Sequence, residues 1–188
     1  MWKLVFDSVT NRGVGFNREA GEGEFAVSLP PSECAWFNAT PERYQYVGGV
    51  FSEVDSAILA AEKLLKAKED IWIAIRDERD RRVQTNGFKV EVSSGVFKWF
   101  HSDVFSRTQQ LGLVMAGAAV PSVAWKTMDG SFVTMSQAIA AAIYASAAAT
   151  DPAIFTAAEQ HKAAAWALED PTTYTAYLND DNWPERYK

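Results

Sequence analysis

The sequence predicts an α+β protein: a small β-rich N-terminal module, a long connecting helix, and a mainly α-helical C-terminal domain carrying two β-hairpins. Three observations lead there. Residues 1–51 hold short β-favouring runs punctuated by turn formers, and residues 52–86 hold the longest helical pattern in the chain. Residues 87–188 mix two short paired runs with capped, alanine-rich helical segments.

In the first module, Trp2 to Phe6, Glu24 to Leu29 and Tyr44 to Val47 are candidate strands. They are separated by the turn clusters Asn11-Arg12-Gly13, Gly21-Glu22-Gly23 and Pro30-Pro31. Ser52, with Asp55 three residues later, resembles a capping box and opens a helix expected from Glu53 to Thr85. Asn86-Gly87 should close it, because glycine readily takes the left-handed conformation that ends a helix.

Within that helix Ile58, Leu65 and Trp72 recur every seven residues, with Ala61 and Ile75 on the neighbouring seam. Lys68, Arg79 and Arg82 then fall where a coiled coil would be apolar. Self-association through this helix, giving a homo-oligomer, and packing along its own domain both stay open. The run Arg76, Arg79, Arg81, Arg82 is interleaved with Asp77, Glu78 and Asp80, as on a solvated helix face.

Beyond Gly87, Phe88 to Val92 and Val96 to Phe100 read as a hairpin around Ser93-Ser94-Gly95. Ser102 is the expected N-cap of a helix over Asp103 to Ala118, with Pro121 marking its end. Val123 to Met128 and Ser131 to Thr134 should pair across a two-residue Asp129-Gly130 turn. Thr134-Met135-Ser136-Gln137 matches a capping box for a helix to about Ala149. Asp151-Pro152 and Asp170-Pro171 each place an N-cap before a first-turn proline, predicting helices near 152–168 and 171–178 and an irregular tail. Because alanines bury little area each, the core should lean on Ile139, Ile143, Tyr144, Ile154, Phe155 and Trp166.

Composition narrows function by exclusion. A net charge of −6 opposes phosphate-backbone binding, which needs Lys and Arg to release counterions, so no nucleic-acid partner is expected. No apolar run reaches the roughly 18 residues needed to span a bilayer, since the stretch Ala138 to Ala149 ends at Thr150-Asp151, so no membrane partner is expected either. The lone Cys34 rules out an internal disulfide, and two histidines with one cysteine cannot supply the roughly four N/S ligands of a Cys/His zinc site. His101 and His161 read as structural. Gly13-Val14-Gly15 and Gly21-Glu22-Gly23 match no phosphate-loop spacing and sit beside repelling carboxylates, while Asp180-Asp181 are adjacent in a loop. The expectation is no catalytic residue, no metal and no cofactor. Trp36, Trp72, Trp99, Trp125, Trp166 and Trp183 read as core anchors, some of them candidates for a recognition surface.

Three segments carry a resemblance: Trp99-Phe100-His101-Ser102-Asp103, Ser106 to Leu113, and Trp125 to Val133. Together with Arg76 to Arg82 before them and Phe155, Ala158, Glu159 and His161 after, they resemble a domain of tailed-bacteriophage and prophage tail proteins associated with tail-fibre assembly proteins. The resemblance implies a non-enzymatic protein that binds the phage tail-fibre protein and assists its assembly in the host cell cytoplasm. The alternative is a permanent component of the fibre, its tip or the baseplate, in contact with the host receptor. A polysaccharide hydrolase rests only on carboxylates and aromatics. Partner contacts are expected from the Leu65, Trp72 and Ile75 seam and from Trp36 in the first module.

Overall fold

The structure is a computed structural model and describes residues 2–16, 18–29, 37, 40–119, 122–178 and 182–188. The features expected at Pro30-Pro31, Cys34, Trp36, Pro121 and Asp180-Asp181 lie outside the described residues. The chain is α+β and divides into two compact units, residues 1–65 and 66–188.

The first unit holds β1 (Trp2–Asp7), β2 (Gly13–Phe16), β3 (Glu24–Leu29), β4 (Tyr44–Val47) and β5 (Val50–Glu53). The order β2-β1-β3 is antiparallel throughout, and β4-β5 is a hairpin tied to the sheet by an Arg12–Gln45 bridge. Strands β2 and β5 are not expected from the sequence, because β2 carries glycine at Gly13 and Gly15 and β5 ends in Ser52-Glu53, which read as a helix start. Leu4, Phe6, Phe37 and Tyr44 form the core, with Phe6 stacked on Phe25 at 5.5 Å. Gly13 is obligatory there, since a Cβ would lie 2.2 Å from the Pro41 carbonyl and 2.6 Å from the Phe37 ring.

The long helix, α1 (Ser56–Thr85), starts three residues later than expected. Ser52 pairs with Gln45 in the β4-β5 ladder, and Asp55 Oδ1 accepts the Ala57 N–H at 2.7 Å to open the helix instead. The boundary between the units falls within α1, after Leu65. Gly87 ends the helix at φ 78°, and a Cβ there would meet Met128 Sδ at 2.4 Å.

In the second unit β6 (Phe88–Ser93) and β7 (Val96–Phe100) form the expected hairpin, turning at Gly95 with φ 75°. Next come α2 (Val104–Ala116), the hairpin β8 (Ala124–Lys126) and β9 (Phe132–Thr134), and α3 (Gln137–Trp166). Two cap assignments change. Asp103, not Ser102, caps α2 by accepting the Ser106 N–H, and Ser136, not Thr134, caps α3 by accepting the Ile139 N–H. The Asp129-Gly130 connection is longer than two residues, because Thr127 and Ser131 close it: the Thr127 N–H donates to the Ser131 carbonyl at 2.9 Å.

The largest correction is α3. One 30-residue helix replaces two, with Pro152 in its interior and Asp151 serving no cap. Asp170 does cap the next turn by accepting the Thr172 N–H, but Pro171–Leu178 is 3-10 helix rather than α. Two clusters fill this unit. Phe88, Val90, Phe100, Met135, Ala140 and Ile143 form one, while Ile71, Ile75, Ile154, Ala157, Ala158, Ala165, Tyr174 and Trp183 form the other. Tyr144 and Phe155, expected inside, are about half exposed, whereas the tail residue Trp183 is buried.

Candidate functional site

The expected partner seam on α1 separates into two parts. Ile58 and Leu65 are each about half exposed, whereas Trp72 packs against the second-unit core and Ile75 is fully buried in it, so Ile75 offers a partner no surface. Lys162 Nζ lies 4.5 Å from the Trp72 ring centroid and the Arg76 guanidinium 5.7 Å, which shields that indole further. Trp36 lies outside the described residues, and the first module's Phe6, Tyr44, Tyr46 and Phe51 pack in its core.

The arginine run is not uniformly solvated. Residues 71, 75, 78, 79 and 82 share one face of α1, and Arg82 is only 1% exposed. Its Nε donates to Glu78 at 2.7 Å and its guanidinium sits 4.9 Å over the Trp183 ring, while Arg79 lies 4.8 Å over Phe155. The positions that break the heptad are thus where arginines continue the apolar stripe by lying on aromatic faces. Burial pushes the Glu78 carboxyl pKa up, but hydrogen bonds from Arg81 and Arg82 pull it down further, leaving it below the usual value.

His161 stands at the centre of the same core. Its Nδ1 is 2.8 Å from Tyr174 Oη and its ring stacks on Trp183 at 4.7 Å. Burial lowers its pKa, a backbone contact with Asn182 opposes that shift, and the Arg82 charge adds to it. Beside it, Gln160, His161, Ala164, Leu168, Tyr174 and Asn182 line a cavity of about 420 Å³. The sequence placed His161 in an alanine-rich helix but gave no sign of this pairing, because Tyr174 and Trp183 come from other segments.

Two of the marked segments, Trp99–Asp103 and Ser106–Leu113, meet at Arg107, and the third joins the first where the Met128 N–H donates to the Trp99 carbonyl at 2.9 Å. The Arg107 guanidinium makes a bidentate pair with Asp151 at 2.6 and 3.0 Å, donates to the Val83 carbonyl near the α1 C-terminus, and lies 4.8 Å over Phe88. Its Nε donates to the Ser102 carbonyl, and Ser102 Oγ accepts the Gly87 N–H at 3.1 Å. Asp129 accepts from Thr127, Ser131 and Lys98, and these hydrogen bonds, led by Lys98, hold its carboxyl well below the usual range. His101 contributes its carbonyl as acceptor for the buried Gln110 amide. Among the described residues no group of three or more His, Cys, Asp or Glu is placed to hold a metal ion.

One surface departs from this pattern of internal use. Val104, Phe105, Leu111 and Met115 of α2 point outward, and Phe105 borders a shallow groove of about 380 Å³ shared with Val123, Ala124 and Trp125. By length and composition α3 is apolar enough to cross a membrane, since it runs through Thr150-Asp151 instead of ending there. One of its faces contributes Ala140, Ile143, Ile154, Ala157, Ala158 and Ala165 to the two cores.

A family model described as Domain of unknown function (DUF4376) matches residues 66–182. The chain belongs to the DUF4376 family. The DUF4376 match begins at the boundary of the second compact unit and takes in both of its core clusters, apart from Trp183. No curated protein and no solved structure matches the chain.

Proposed function

We propose that this chain is a tailed-bacteriophage tail protein that binds the tail fibre and assists its assembly in the host cytoplasm, without catalysis. The observation that carries the reading is the signature Trp99–Asp103, Ser106–Leu113 and Trp125–Val133, which resembles tail proteins. Its polar members support a binding role over chemistry. Arg107, Ser102, Gln110, Thr127 and Asp129 are all engaged with backbone or neighbouring side chains inside the fold. A catalytic group must instead be free to reach a substrate proton or carbon.

On this reading the fibre contacts the part of α1 whose seam stays open, at Ile58 and Leu65. Co-expression with the tail-fibre polypeptide encoded in the same genome tests it. Soluble fibre trimer should rise several-fold with the wild-type chain and fall back with Leu65→Glu. Equal yields with and without the chain would end the assembly reading. Finding the chain at a fixed ratio in purified particles would assign it to the virion instead.

A further inference from the structure

Helix α2 is built inside out. Its inward face carries Ser106, Arg107 and Gln110 together with Leu113 and Val114, and Gln110 is its one fully buried residue. Its outward face carries Val104, Phe105, Thr108, Gln109, Leu111, Gly112, Met115 and Ala116, all exposed. Val104 is 71% exposed, Phe105 70%, Met115 79% and Leu111 46%. A surface helix of a lone globular protein shows the opposite arrangement, apolar side in and polar side out.

We infer that this α2 face is an interface between two copies of this chain. Two features bear on the occupant. Arg107 is the only charged residue in the helix, and it is held inward by Asp151 and the Val83 carbonyl, so α2 itself turns no charge outward, the adjoining groove adding one cation, Lys126. Two copies that each carry a net charge of −6 repel over most of their surface, and a contact centred on α2, which has no Asp or Glu, brings no carboxylates of the helix together. The spacing also suits a second α2. Val104, Thr108, Leu111 and Met115 follow steps of four, three and four, the knob spacing of a paired helical seam. Gly112 lies beside that seam, and among the described residues a Cβ there would meet nothing within 4 Å, so packing within them does not account for a mid-helix glycine. A partner helix approaching closely does account for it.

The size fits as well. The four large side chains present on the order of 500 Å² of apolar surface, the size of the largest patch on a typical monomer, which is often a functional one. Thr108, Gln109, Ala116 and Val123 extend this exposed face, and an ordinary stable interface takes roughly 800 Å² per partner. This pairing does not depend on the tail-protein reading, and its failure would leave that reading standing.

Light scattering coupled to size exclusion on the full chain tests it. The wild type should show twice the chain mass, and Met115→Glu and Leu111→Lys should each show the monomer mass with the wild-type circular dichroism spectrum. Because both side chains point outward, neither substitution should unfold the domain; should one do so, Val104→Lys replaces it. In a Cys34→Ser background, Gly112→Cys should give a disulfide-linked dimer under copper-phenanthroline, while Lys63→Cys should not. A wild type that stays monomeric up to its solubility limit overturns the inference. So does a dimer that survives both charge substitutions. A monomer that binds the fibre polypeptide through Met115 also overturns it and gives the face to the fibre.

Discussion

His161 sits among groups that make its protonation state a stability variable. Tyr174 Oη, the Trp183 ring and the Arg82 guanidinium surround it, and burial holds its pKa below the ordinary 6.5. The sign follows from linkage. Between the depressed folded value and 6.5 the unfolded chain binds a proton that the folded chain does not, so stability rises with pH through that window. The His161 contribution is therefore complete above 6.5 and is lost as pH falls through the folded pKa. Urea denaturation of wild type and His161→Phe between pH 7.5 and 5 should show the difference in unfolding free energy narrowing as pH falls. Parallel profiles would mean that His161 is not held neutral. The carboxylates Glu78 and Asp103, also lowered, act in a separate window below their ordinary values of 4.5 and 3.8.

At the scale of elements, Pro152 shows how tertiary contacts override local signals. Asp151-Pro152 is a strong helix-start signal, because Asp caps and Pro suits the first turn. In α3 it sits mid-helix, where proline removes one backbone hydrogen bond and costs about 3 kcal/mol relative to alanine. The bidentate pair from Arg107 to Asp151, together with cores on both sides of the proline at Ile143 and Ile154, holds the helix continuous. Pro152→Ala should thus stabilise the protein, by up to about 3 kcal/mol in urea titration. A loss of stability would instead show that the proline shapes α3 to reach both cores. Elements set by local chemistry were legible in advance: β3 and β4 from β-favouring runs between turn formers, the Gly87 stop, and the β6-β7 hairpin. Those set by distant partners were not. Arg82 turns inward only because Trp183 lies about a hundred residues ahead, and α2 reads as an ordinary helix until its buried face is known to hold Arg107 and Gln110.

At the scale of the whole chain, the family match and the compact unit start at the same residue, Lys66, although a continuous helix runs through that point. Every residue of the two larger core clusters lies at or beyond Ile71, so the hydrophobic stabilisation of the second unit is supplied within it. The tail also closes on this unit: Trp183 enters the core, the Tyr187 N–H donates to the Asn86 carbonyl, and Lys89 pairs with Glu185 at 3.0 Å. A chain comprising residues 55–188 keeps the Asp55 cap of α1 and every one of these contacts. It should therefore fold alone, with a helical far-ultraviolet spectrum and one cooperative thermal transition. Further removal of residues 182–188 should lower the midpoint of that transition, because it takes Trp183 from over Arg82 and from against His161. If the 55–188 chain lacked a cooperative transition, the first 54 residues would be completing a core that the contacts within residues 66–188 already account for, and the division at Lys66 would not describe how this protein folds.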